Sequence, residues 1–350
     1  MKQFALSVVL ASFLVSISAC QSTPPETTES TESTQTTLPG QGVTTRSAHS
    51  TVSEEHFQTE IVNLGLEKLG YQVAKPQEAD YAAIYLGVAN GELDYTAINY
   101  DKSHAPILKN SGGADKLEPV GVITDGYIHG YQINKKVADK YQITNIEQLK
   151  DPKIAQLFDS DGDGKANLVG CNPGWGCELS IEHQLKAYGL EDTVEYDKGQ
   201  YFALIADLIT RYEQGENVLY VAFNSLWIAT VLKLDEDVIW LEVPFTSLPE
   251  KQGKLTAKDT SLDGENLGFP RDKQRIIANK EFLAANPAAK RWFELVKIPI
   301  EDMSSQSLRI KDGEDSPQDI RRHAEEWVEQ NQELFDGWIK EARAFVSNES

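Results

Sequence analysis

Positive charge is what this chain lacks. Its 350 residues carry 33 Lys and Arg against 54 Asp and Glu, a net charge of -21. Phosphate binding needs clustered cations, so nucleic acid is excluded as a partner. The six histidines (His49, His56, His104, His129, His183 and His323) show no H-x-x-x-H spacing, so no histidine metal pair is expected. There is no G-x-S-x-G elbow and no P-loop, which removes two common routes to hydrolase and nucleotide chemistry. No internal repeat is present. The leading apolar run, Phe4 to Val15, is too short to cross a bilayer as a stable helix.

That run instead completes a secretory signal. Lys2 supplies the positive charge, and Ile17-Ser18-Ala19-Cys20 places small residues just before a cysteine. Residues 1–20 read as a lipoprotein signal, with Cys20 as the lipid-bearing N-terminus. An ordinary cleaved signal, with Cys20 incidental, is the alternative. Residues 21–40 are rich in Ser, Thr, Pro and Glu, as a disordered tether would be. The protein is therefore expected outside the cytoplasm, anchored to a membrane through lipid.

Three cysteines in an exported chain leave one odd. A Cys171–Cys177 pair with an acylated Cys20 leaves none. The segment Cys171-Asn-Pro-Gly-Trp-Gly-Cys177 then reads as a stapled loop with Trp175 at its centre. A helical segment, Glu178 to Tyr188, follows at once. Such a loop offers an indole face and free backbone N–H groups at a helix N-terminus, which suits a small ligand of both charges. A loop disulfide with Trp175 packed into the core remains the other reading.

Apolar residues recur at helical spacing from Glu54 to Leu69, with Thr51 or Ser53 as N-cap. Further helices are expected over Asp80–Gly91, Asn145–Phe158 (interrupted by Pro152), Tyr201–Gln214, Phe282–Leu295 and Ile320–Phe345. Tyr95–Tyr100, Val218–Ala222 and Val238–Val243 read as strands, and Glu118–Val137 as paired strands. This alternation argues an α/β fold with mostly parallel sheets. Gly130–Lys136 and Asn266–Lys280 look like crossings between two lobes, one built from 41–131 and 275–350, the other from 132–274. The cleft between such lobes is the expected ligand site.

Asp159-Ser160-Asp161-Gly162-Asp163-Gly164 has the carboxylate spacing of a calcium loop. Its twelfth position is Gly170 instead of a bidentate Glu, so an Asp/Gly turn without metal is expected. Asp159, Asp161 and Asp163 are the calcium candidates. Tyr100, Trp175 and Phe223 each fall at a strand end or in a loop, where ligand sites of α/β sheets occur. A cysteine-dependent hydrolase using Cys177 and His104 is the competing reading. It needs a free thiolate, which an oxidising compartment disfavours.

Together these segments are similar to the glycine betaine/proline betaine-binding proteins of the ProX type, the substrate-binding components of osmoprotectant ABC importers. The resemblance spans about Pro39 to Phe345. It rests on Glu54-Glu-His-Phe-Gln-Thr59, Glu67-Lys-Leu-Gly-Tyr71, Ile143 to Ile154, Gly162-Asp-Gly-Lys-Ala166, Cys171 to Glu178, Gly268-Phe-Pro270 and Phe335-Asp-Gly-Trp338. It implies a two-lobed fold of the type II periplasmic-binding-protein kind that closes on its ligand without catalysis or cofactor. It further implies a box of three tryptophans around a quaternary ammonium group. Here one box position is Trp175, while the other two fall on Tyr100 and Phe223. His104 and the backbone N–H groups of Gly176 and Cys177 would hold the ligand's carboxylate. The proline-bearing turns of the family become Asp101-Lys-Ser103 and Asn224-Ser225. The implied partners are a quaternary-ammonium solute, an ABC permease and its ATPase, and the implied state is a monomer.

Overall fold

The structure, a computed structural model, describes residues 37–347. The signal segment, Cys20 and nearly all of the tether lie outside the described residues. Among the described residues no helix is long and apolar enough to cross a membrane.

Two sheets organise the chain. The first has three strands, β1 (Tyr95–Tyr100), β2 (Leu117–Tyr127) and β8 (Asp272–Asn279). Its order is β1-β8-β2 and both pairings are antiparallel. The second has five: β3 (His129–Asn134), β4 (Ala166–Val169), β5 (Val194–Asp197), β6 (Leu219–Phe223) and β7 (Val238–Trp240). Its order is β7-β3-β6-β4-β5, parallel at β6-β4 and β4-β5 and antiparallel at β7-β3 and β3-β6. The first sheet is thus antiparallel and the second mixed, so the sheets are not mostly parallel.

Residues 118–137 do form two strands, but these do not pair with each other. Asn224 secures the second sheet at the point of change. Its Oδ1 accepts from the Ile128 N–H at 2.9 Å, and its own N–H donates to the Ile128 carbonyl at 3.1 Å. Ile128 is thereby held to the second sheet, and the chain runs on instead of folding back. The change of sheet falls at Ile128 on the way out and just after Pro270 on the way back. The first lies two residues before the expected segment Gly130–Lys136, and the second falls within the expected segment Asn266–Lys280.

The first lobe is built around α1 (Ser53–Lys68), in which every residue from Glu54 to Leu66 is buried. Phe57, Ile61 and Leu64 supply the apolar periodicity. The polar residues between them are buried too and have partners inside: Gln58 donates to the Ala97 carbonyl, and the Tyr95 hydroxyl donates to Asn63. Gly65 admits the Trp292 ring, since a Cβ there would lie 2.2 Å from the indole. The helix begins after Val52 with no side-chain cap, and Ser50 Oγ accepts from the Val52 N–H. Neither Thr51 nor Ser53 fills that role.

Prolines and asparagines cut several expected helices. Residues 280–295 split at Asn286-Pro287, and the C-terminal helix splits at Asn331 into Pro317–Gln330 and Gln332–Ser347. Residues 146–158 become three short helical pieces on either side of Pro152. The helix Ile300–Lys311, which follows Pro299, was not anticipated. The first lobe also holds α2 (Tyr81–Asn90). In the second lobe, α3 (Lys135–Tyr141), α4 (Gly176–Ala187) and α5 (Tyr201–Glu213) pack against the five-stranded sheet, and α4 starts beside Ser103 of the first lobe.

Candidate ligand-binding cleft

One cleft of about 590 Å³, partly open to solvent, lies where the two sheets meet. All six residues named from sequence line it: Tyr100, His104, Trp175, Gly176, Cys177 and Phe223. Tyr100 ends β1, Phe223 ends β6, and Trp175 immediately precedes α4.

The lobe 2 wall is a set of rings. Trp175 and Phe223 meet edge to face with centroids 6.0 Å apart, and Tyr201 packs against both at 5.7 and 5.5 Å. His129 stacks on Phe223 at 5.3 Å. Trp175 and Phe223 remain partly exposed, so neither is consumed by the core. Beside them α4 begins with the N–H groups of Gly176 and Cys177, which have no hydrogen-bond acceptor among the described residues. A helix N-terminus of this kind favours negative charge. Cys171 and Cys177 are joined in a disulfide. The thiolate required by a Cys177–His104 hydrolase is therefore missing, and that alternative falls.

The lobe 1 wall is polar. Tyr100 meets His104 and Tyr127 edge to face, both at 5.1 Å. His104 is buried, and desolvation pulls its imidazole down to about 3, so the ring is neutral. Its Nδ1 lies 3.1 Å from the Tyr85 hydroxyl, which also lies 2.6 Å from Asn99 Oδ1. A neutral ring carries one N–H. When the Tyr85 O–H donates to Asn99, Nδ1–H can donate to Tyr85 and Nε2 is an acceptor. When the Tyr85 O–H turns to Nδ1, the proton sits on Nε2 and that atom donates.

Sequence reasoning missed the acids of this wall. Asp272, at the start of β8, accepts from the N–H groups of Lys102 and Ser103 at 2.7 and 3.2 Å and from Ser103 Oγ at 2.5 Å. It thus holds the turn that lacks proline. Burial raises its carboxyl to about 7 in spite of these bonds. Glu54, in the first turn of α1, also lines the cleft, and burial raises it to about 8. Glu55 beside it is raised to about 7 by burial but accepts from Ser50 at 2.5 Å and Tyr81 at 2.9 Å. Glu54 opens one of the motifs behind the resemblance, yet an acid in a first helical turn ordinarily reads as solvent-facing.

The lobes are in contact. A Cβ at Gly176 would stand 3.6 Å from the Ser103 carbonyl, and Lys102 pairs with Asp259 across the lobes at 3.3 Å. The calcium candidates lie elsewhere, on an exposed loop. Asp159 accepts from the N–H groups of Gly162 and Gly164, Asp161 from that of Asp163, and Asp163 from that of Lys165. The loop's own amides serve the carboxylates, and one oxygen of each of the three lies within 4.8 Å of the others.

Residues 45–330 match the family described as the substrate binding domain of ABC-type glycine betaine transport systems. The chain belongs to this family. It is the substrate-binding component of an ABC transport system. The glycine betaine-binding periplasmic protein OusX of Dickeya dadantii is 49% identical over 308 residues, 88% of this chain and 92% of that protein. The glycine betaine/proline betaine-binding periplasmic protein of Escherichia coli is 46% identical over 90% of this chain and 94% of its own length. Among solved structures, lactococcal OpuAC closed on glycine betaine superposes with a TM-score of 0.63 at 18% identity, covering 85% of this chain and 99% of that one. A choline-binding protein in complex with choline gives 0.64 at 15% identity, covering 85% and 91%. These two establish the two-lobed fold of the glycine betaine substrate-binding family.

Proposed function

We propose that this chain captures a quaternary-ammonium solute, glycine betaine foremost, and delivers it to a membrane permease driven by an ATPase. What supports this reading above all is the cleft's pairing of Trp175, Phe223 and Tyr100 with the unengaged N–H groups of Gly176 and Cys177. A trimethylammonium group donates no strong hydrogen bond. Aromatic faces attract it at about 0.5–2 kcal/mol each once water is excluded. The carboxylate end rests on the amides of α4 and on His104 in its Nε2–H form. The other tautomer accepts a hydroxyl, so the same ring suits choline. Ligand favours the closed arrangement of the lobes because both walls touch it only there.

The division of lobes near Ile128 and Pro270 supplies the two hinge strands. Export follows from the signal segment and from relatives named as periplasmic. Cys20 anchors the chain by lipid, residues 21–40 tether it, and the protein acts as a monomer without catalysis.

Calorimetry of the lipid-free protein with glycine betaine, proline betaine, choline and carnitine tests this. Binding of at least one at or below micromolar concentration is expected. No binding of any at millimolar concentration would overturn the assignment.

A further inference from the structure

We propose that Glu54 is a ligand-binding residue, whose carboxylate supplies the counter-charge to the positive end of the solute. This deepens the quaternary-ammonium reading and rests on it.

Three carboxyls lie at or beside the cleft, and only one is free to act. Asp272 is spent on the Lys102–Ser103 turn and Glu55 on Ser50 and Tyr81. Glu54 is 1% exposed, lines the cleft, and its Oε2 has no hydrogen-bond partner. Among the described residues it is the one carboxyl oxygen that is buried and unpartnered. A buried carboxylate without a partner is costly, so such a group is either neutral or completed by something that enters.

No cation of the protein can complete it. No Lys or Arg lines the cleft. The two cleft histidines, His104 and His129, are held neutral by burial, pulled down to about 3 and about 4. Tyr81, Tyr100 of β1 and Tyr127 of β2 line the same cleft, with Trp175 and Phe223 from lobe 2, and burial keeps those tyrosine hydroxyls un-ionised. The other carboxyls are Asp272 in the cleft wall and Glu55, next to Glu54 in sequence. The cleft therefore holds a latent negative charge and no cationic side chain to meet it.

The empty site keeps Glu54 protonated. When an onium enters, the carboxyl O–H bond breaks, the proton passes to the buffer, and the carboxylate pairs with the ligand cation. With choline the charge in the cleft is then balanced; with glycine betaine the ligand's own carboxylate is left to the α4 amides. Affinity accordingly rises with pH by up to about tenfold per unit below about 8, and levels above it.

The test is calorimetry of wild type, E54Q and E54D with glycine betaine and choline at pH 7, in phosphate and in Tris. These buffers differ in their heat of protonation, so released protons are counted directly. Expected for wild type is release of most of one proton per ligand. E54Q should bind at least tenfold more weakly and release none. E54D, which keeps an ionisable group on a shorter arm, should bind weakly yet still release a proton. Binding by E54Q within threefold of wild type, or with the same proton release, overturns the role of Glu54 and leaves the ligand class standing. Absence of binding by wild type overturns both.

Discussion

The two walls of the cleft use different physics. Lobe 2 presents rings and backbone amides: Trp175 and Phe223, backed by the buried Tyr201, beside the start of α4. Lobe 1 presents hydroxyls, a neutral imidazole and buried acids, bound to one another except at Glu54. Aromatic faces lose little by being empty, because their interaction with water is weak. Buried carboxyls lose a great deal. The lobe 2 wall can thus be optimised for the ligand at small cost to folding. The lobe 1 wall trades stability for selectivity. It follows that substitutions on the first wall should show mainly in affinity, and those on the second in affinity and stability together.

Trp175→Ala is the strongest way to break this contrast. Trp175 is partly exposed and sits in a disulfide-closed loop, so its loss leaves the fold intact. It removes the largest π face and exposes the onium to water. Affinity for glycine betaine should fall by at least about 100-fold. Thermal unfolding without ligand should shift by no more than a few degrees. A large loss of stability would mean that the ring belongs to the core.

The second effect belongs to the acidic wall. Carboxyls titrate near 4 in the unfolded chain, while Glu54 is raised to about 8 and Asp272 to about 7. Below pH 4 they are protonated in both states and contribute nothing. As pH rises the unfolded chain ionises first, so unfolding becomes easier until the folded groups also ionise. Stability of the ligand-free protein should therefore fall between about pH 5 and 8. Glu55, also raised to about 7, adds to this, and E54Q removes the largest single share. At pH 8 it should be more stable than wild type by an amount on the order of 2 kcal/mol, and at pH 4 equal to it. Urea unfolding at the two pH values checks this. An equal difference at both would trace the gain to packing instead of charge.

The same contrast governs what could be read from sequence. The lobe 2 wall was legible because its chemistry is local. Trp175 stands in a Pro/Gly loop between two cysteines, immediately before a helix, and no long-range knowledge is needed to see an exposed ring and free amides. The lobe 1 wall was only half legible. Tyr100 and His104 follow one strand, but Glu54 and Asp272 come from far along the chain and matter only because of burial. Nothing in Ser53-Glu54-Glu55 distinguishes a first-turn acid in solvent from one facing a closed cleft. The sheets show the same division. Individual strands were evident from their apolar runs, whereas their pairing is long-range: β2 pairs with β8, β3 pairs with β6, and Asn224 bonds Ile128 from 96 residues away. Local pattern cannot contain such a contact.

His104→Ala tests the polar wall at moderate cost. A single hydrogen bond to a charged group is worth about 1.5–3 kcal/mol in a desolvated site. Glycine betaine, which needs the Nε2 proton, should bind roughly tenfold more weakly by calorimetry. Choline should change less, because the aromatic faces and Glu54 carry its charge. Equal loss for both ligands would show that His104 shapes the cleft and does not contact the carboxylate.

The smallest effect sharpens the comparison from the other side. Phe223 stands where the family resemblance implies tryptophan, and an indole face attracts cations more strongly than a phenyl face. Its surroundings are rings at 5.3–6.0 Å, with open cleft before it. Phe223→Trp should tighten glycine betaine by about threefold, well under 1 kcal/mol, and leave unfolding unchanged. The gain is modest because the onium already touches two other faces and its counter-charge comes from lobe 1. A gain of about 100-fold would mean that the rings alone set affinity and that the acidic wall is passive. A loss would mean that the cage is already filled, with Phe223 sized for a bulkier head group than trimethylammonium.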